Sequence, residues 1–152
     1  MSFTYRYPRP AVTVDIVLFR LVEDKWQVLL IERKADPFAG HWAFPGGFVD
    51  MDEDLEQAAH RELKEETSLS DISLTQFHTF GKVDRDPRGR TISVGYTAIL
   101  PEGIDIQPIA GDDAAKAEWF IITNLPNLAF DHNEVLNSAL KFHKQQKNLD
   151  IC

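Results

Sequence analysis

Cysteine is almost missing from this chain. Among 152 residues the only one is Cys152, so no internal disulfide can form, and a reducing compartment, the cytoplasm, is the expected location. No apolar run approaches the roughly 18 residues that a membrane span needs, and the opening MSFTYRYPRP has no continuous apolar core of the kind a signal peptide carries. Neither a membrane nor export is therefore expected. Positive charge is also scarce: 16 Lys and Arg stand against 24 Asp and Glu, for a formal charge of -8. That balance argues against a broad nucleic-acid or anionic-membrane surface, and it means that any anionic ligand must be met by a few local cations. Internal repeats, low-complexity tracts and linkers are absent as well. The length suits one domain, residues 1–152, with a core of its own.

The patterns that are present read as strands and two helices. AVTVDIVLFR and WQVLLIER, rich in β-branched residues, flank LVEDK and predict two neighbouring strands between Ala11 and Arg33. KADPFAGHWAFPGGFVD, dense in Gly, Pro and aromatics, predicts a shaped loop with a short strand around Trp42 to Phe44. A helix follows, with Asp50 or Asp52 as its cap, Leu55, Ala58, Ala59 and Leu63 at helical spacing, and an end near Thr67. DISLTQFHTFGKVD and TISVGYTAIL predict strands joined across the turn RDPRGR, and AEWFIITNLP predicts another. DHNEVLNSALKFHKQQK predicts a last helix capped by Asp131, with Val135, Leu136, Ala139 and Leu140 on one face. The expected fold is an α/β sandwich.

The informative stretch is GGFVDMDEDLEQAAHRELKEETSL, Gly46 to Leu69. At about 100° per residue, Glu62, Glu65 and Glu66 fall in the same sector of the helix as Leu55, Ala58 and Ala59, while Gln57, His60 and Lys64 lie on the other side. An ordinary acidic helix turns its charges to solvent, opposite its apolar stripe. Here the carboxylates extend the stripe. Crowded against protein they repel and raise one another's pKa values unless positive charge offsets them. Hard divalent cations do that, and Mg²⁺ combines one or two carboxylates with waters and substrate phosphate oxygens. Gly46 and Gly47 let the backbone pass close to the helix or to a ligand.

The whole run resembles the Nudix box of the Nudix hydrolases: Gly47, Glu53, Arg61, Glu62, Leu63, Glu65, Glu66 and Leu69 stand in register with it, and Ser68 replaces the usual glycine. That glycine serves a turn expected to have positive φ. The resemblance implies an α/β/α sandwich around a mixed β-sheet, and Mg²⁺, replaceable by Mn²⁺, held by Glu62, Glu65 and Glu66 with Gly46 beside them. It implies an orienting ion pair between Arg61 and Glu53, and hydrolysis of a diphosphate linked to a second moiety. It leaves open which carboxylate is the base. Asp112 and Asp113 are candidates for a further ligand, substrate contact or base, with an exposed polar turn as the alternative reading.

VLLIERKADPFAGHWAFPGGFVD, DRDPRGRTISVGYTAIL and LAFDHNEVLNSAL are similar to the bacterial ADP-ribose pyrophosphatase branch of that family. The implied substrate is ADP-ribose, cleaved to AMP and ribose 5-phosphate, and the implied assembly is a homodimer. NADH, dinucleoside polyphosphates and oxidised nucleotides are the alternatives within the enzyme class, and a silent ADP-ribose sensor is the alternative outside it. Intact metal-ligand glutamates argue against the sensor, and no room for a winged-helix module is expected after the last helix. Arg33, Arg85, Arg88 and Arg90 are candidates for phosphate or ribose contacts, with a solvated role preferred for Arg90. Phe44, Trp42 and Phe48 are candidates for stacking on adenine or for the core. His41 and His132 read as structural or interfacial.

Overall fold

The computed structural model describes residues 2–103, 105–111, 114–147 and 151. Its strands are β1 (Ala11–Val22), β2 (Lys25–Arg33), β3 (Trp42–Ala43), β4 (Gly46–Phe48), β5 (Thr75–Phe80), β6 (Thr91–Ile99) and β7 (Ala114–Ile121), and its helices are α1 (Leu55–Thr67) and α2 (His132–Lys147). One mixed sheet runs β3-β2-β1-β6-β5, with β7 paired to β2 and β4 paired to β1. Among the described strands β1 pairs with β6 in parallel and the other strand pairs are antiparallel.

The alternation of β1 explains the sandwich. Val14, Ile16 and Leu18 face one way and pack with Ala58, Ala59 and Leu63 of α1. Val17 and Phe19 face the other way and pack with Val135, Leu136 and Ala139 of α2. Successive side chains of a strand point to opposite faces, so a strand buried on both sides reads as one continuous apolar run. The α/β/α sandwich around a mixed sheet is the fold.

The β1–β2 hairpin is tighter than LVEDK suggested: the strand continues through Val22, and the turn is only Glu23 and Asp24, both at positive φ (50° and 63°), as a twist-compatible two-residue turn requires. The cap of α1 is Asp54, not Asp50 or Asp52, because Gln57 reaches back to accept the Asp54 N–H at 2.8 Å. The helix stops at Thr67, and Ser68 takes the left-handed conformation (φ 63°, ψ 12°). Its N–H caps the Lys64 carbonyl, and its hydroxyl donates to the Ile109 carbonyl at 3.0 Å. Leu55 is exposed rather than packed.

The feature that builds a site is the division of β1. Phe19 to Val22 pair with β2, whereas Thr13 to Asp15 pair with β4. The strands diverge between these halves, and the β3–β4 segment fills the wedge. A cleft opens where they part.

Candidate active site

The cleft has a volume of about 500 Å³ and is lined by Glu62, Glu65 and Glu66 of α1 and Gly46 and Gly47 of β4, together with Arg33, Arg88, Phe48 and Phe130. Glu66 is buried and its Oε1 accepts the Gly46 N–H at 2.7 Å. Burial pushes its pKa up to about 8; the Gly46 bond opposes this, and Glu62 and Asp15 add to it. Burial likewise raises the Glu62 carboxyl, against the pull of Arg61. Glu65 is more open. The two glycines are needed for close approach. A Cβ on Gly47 would sit 2.5 Å from Glu62 Oε1, and one on Gly46 would collide with the Val14 carbonyl.

Arg61 lies at the centre of the wall. It grips Glu53 through two bonds, Nε to Oε2 at 2.8 Å and Nη2 to Oε1 at 2.6 Å. Through Nη1 it reaches Glu62 at 2.9 Å and Glu65 at 3.1 Å, and Nη2 also donates to the Phe48 carbonyl. The Arg61 fork holds the Glu53 carboxyl down at about 2. Glu53 in turn accepts the Asp50 N–H at 2.8 Å, which ties the approach loop to the helix.

The residues suit a hard divalent cation by donor chemistry: carboxylate oxygens gathered on a wall where burial and Glu62 oppose the ionisation of Glu66. Among the described residues no three acidic, His or Cys side chains converge closely enough to chelate an ion. Arg61 bridges Glu62 and Glu65 instead, so a cation at this wall needs those two carboxylates to turn from it.

The other candidates divide into two sets. Arg88 reaches the cleft: its guanidinium lies 4.8 Å from the Phe48 ring and 5.3 Å from the Phe130 ring, and Asp86 holds it from behind, with Nη2 to Oδ2 at 2.8 Å. Arg33 also lies over the Phe130 ring, at 4.9 Å, with its Nε donating to the Pro37 carbonyl. Arg85 borders the cleft but is buried, its fork closed on Asp131 at 2.6 and 2.9 Å. Asp131 thus precedes α2 as expected, with its carboxylate given to Arg85 rather than to the helix. Phe44 has 2% of its surface exposed and its ring stacks on His132, so it offers almost nothing to an adenine. Trp42 packs on Phe120 in the core, Phe48 is the exposed aromatic at the mouth, and Arg90 donates to the Gly81 carbonyl. Asp112 and Asp113 lie outside the described residues.

Sequence reasoning missed a buried polar group behind the wall. Ser93 donates to Asp15 Oδ2, His132 Nε2 lies 3.5 Å from Asp15 Oδ1, and Arg85 stands 4.0 Å from the same carboxylate. A charged residue inside the apolar run of β1, Asp15 in VTVDIVLF, was the available signal.

A helix carrying three carboxylates beside a glycine-paired strand, on an α/β/α sandwich, defines the Nudix class of hydrolases. The NUDIX domain model matches residues 9–139, and the chain belongs to that family. An ADP-ribose pyrophosphatase of Methanocaldococcus jannaschii is 41% identical over 136 residues, spanning 90% of this chain and 76% of the relative. The ADPR responsive transcriptional repressor NtrR of Acinetobacter baylyi is 37% identical over 88% of this chain, which covers 54% of the repressor. The NUDIX domain of Shewanella oneidensis NrtR, solved with ADP ribose, superposes with a TM-score of 0.82 at 34% identity and 89% coverage of each chain. Nudix hydrolases generally use divalent metal ions. Among the described residues no helix is long and apolar enough to cross a membrane.

Proposed function

We propose that this protein hydrolyses ADP-ribose to AMP and ribose 5-phosphate with Mg²⁺, which Mn²⁺ replaces. The observation that carries this reading is the meeting of two unlike sets of groups in one cleft: glutamates and backbone glycines, and Arg33, Arg88, Phe48 and Phe130. A diphosphate flanked by ribose and a base asks for both. The named relatives support the choice, one as an ADP-ribose pyrophosphatase and one as a domain solved with ADP ribose.

In this reading Glu62, Glu65 and Glu66, with Gly46, hold the cation, which when bound neutralises charge developing on the phosphoryl oxygens. Arg61 and Glu53 orient the glutamates, and the glycines give the substrate room to approach the backbone. Arg33 and Arg88 contact the diphosphate or the terminal ribose as guanidinium forks, and Asp113 joins the substrate contacts. The protein works as a single domain over residues 1–152, in the cytoplasm, as a homodimer. The charge of -8 supports a small anionic ligand held by local arginines over a nucleic-acid surface.

The second reading, an ADP-ribose sensor without turnover, is favoured by the resemblance to the repressor. One panel separates them. Purified protein with Mg²⁺ is offered ADP-ribose, NADH, a dinucleoside polyphosphate and an oxidised nucleoside triphosphate, and release of AMP and phosphate monoesters is followed. ADP-ribose is expected to have the highest kcat/KM. Faster cleavage of another compound overturns the substrate, and tight ADP-ribose binding without product establishes the sensor.

A further inference from the structure

Between β3 and β4 the chain crosses the floor of the cleft through Phe44, Pro45 and Gly46. Each end of this corner donates one backbone N–H to a side chain from elsewhere in the fold. The Gly46 N–H goes to Glu66 Oε1 at 2.7 Å, and the Phe44 N–H goes to His132 Nδ1 at 3.1 Å. Between them the Pro45 carbonyl accepts the Ile16 N–H at 2.8 Å. We infer that His132 is a positioning residue for the glutamate wall: by accepting the Phe44 N–H it sets the corner, and through the corner the Gly46 N–H that fixes Glu66.

The surroundings of His132 fit an oriented acceptor rather than a space-filling core residue. It is 3% exposed, and its ring lies on that of Phe44 with centroids 5.2 Å apart and 29° between planes, so the residue that donates to it also holds it flat. Because Nδ1 accepts, the ring proton of the neutral imidazole sits on Nε2, which faces Asp15 Oδ1 at 3.5 Å. The other Asp15 oxygen takes the Ser93 hydroxyl. Asp15 is also the residue paired with Gly46 in the β1–β4 ladder. One carboxylate thus faces the Nε2 side of the imidazole and stands beside the glycine that the imidazole helps to place. Burial keeps His132 in its neutral form, against the pull of Asp15 and Asp131.

This inference rests on the proposed role of Glu66 at the reacting phosphates, and the test keeps the two apart. His132→Asn in the full chain keeps an oxygen acceptor where Nδ1 stands, while His132→Leu removes it; His132→Ala serves where the Leu variant does not fold. Two quantities are read well below the melting temperature of every variant: hydrogen exchange of the Phe44 and Gly46 amides in metal-free protein, and kcat and KM for ADP-ribose with Mg²⁺. In His132→Leu, Gly46 exchange is expected to speed up and kcat to fall by about tenfold, with KM near the wild-type value. In His132→Asn both are expected within about threefold of wild type. Unchanged Gly46 exchange in His132→Leu overturns the positioning role, as does an equal loss of kcat in the Asn and Leu variants. A wild-type protein that leaves ADP-ribose intact defeats the proposed activity, and the exchange comparison alone then decides the inference.

Discussion

The burial of Glu66 makes a testable demand on metal-free protein. Its pKa is about 8 in the fold against an ordinary 4.5, so between those values the folded chain keeps a proton that the unfolded chain has released. Stability from this group is complete below pH 4.5 and is lost as pH rises towards 8, at no more than about 1.4 kcal/mol per pH unit. From pH 5.5 to 7.5 the loss is about 2–3 kcal/mol, or roughly 4–12 °C in Tm for a domain of this size. Glu66→Gln keeps an oxygen for the Gly46 N–H and has no proton to lose. In urea melts with a chelator, the difference in stability between variant and wild type should therefore grow in the variant's favour by that amount across the interval. Contributions of groups that do not couple to Glu66, such as that of Glu53, cancel in the difference. Added Mg²⁺ should shrink the gap by stabilising the wild type, and turnover of the variant should fall by orders of magnitude. Parallel stability curves across pH would refute the argument.

Four further outcomes are expected. Arg85→Ala, which removes a buried guanidinium and strips the partner from the half-buried Asp131 carboxylate, should destabilise the fold by about 3 kcal/mol in urea melts. Arg88→Ala, which also takes a partner from the buried Asp86 carboxylate, should lower the denaturant midpoint and, read well below the melting temperature, lower kcat/KM for ADP-ribose by about tenfold or more, with a smaller effect on a nucleoside triphosphate. Ser68→Gly should be close to neutral, within about 0.5 kcal/mol by denaturant midpoint, because relief of left-handed strain is offset by loss of the bond to the Ile109 carbonyl. Glu53, held at about 2 by Arg61, contributes stability above pH 4.5 that is lost as pH falls through 4.5 towards 2; Glu53→Gln should flatten that acid limb in a pH titration of Tm.

What could be read from the sequence follows from distance along the chain. Glu62, Glu65, Glu66, Arg61 and Glu53 lie within one helix and its approach loop, so helical geometry places them on one wall before any tertiary contact is known. The cap was misread because Asp50, Asp52 and Asp54 are equivalent by residue type; the reach of Gln57 selects Asp54, and the Asp50 N–H is taken by Glu53. The polar group behind the wall was out of reach. Ser93 and Asp15 are 78 residues apart, Phe44 and His132 are 88 apart, and Arg85 and Asp131 are 46 apart. Only the pairing of β1 with β6 and the docking of α2 bring them together. Arg85 and Arg88, three positions apart in one turn, are indistinguishable as residue types, and burial beside Asp131 separates them.

The parallel pairing of β1 with β6, Ala11 opposite Thr91 through Phe19 opposite Ile99, also sets an order of events as the chain is made. The glutamate helix is complete at residue 67 and its glycine partner at residue 46, yet β1 is without its long neighbour until the ribosome has passed residue 99. Contacts spanning about 80 residues must close a large loop before they repay its entropy, which places such a fold among the slower two-state folders. A released chain ending near residue 85 therefore holds the full glutamate motif without a cleft, and proteolysis of such truncated chains should find α1 unprotected until they include β6.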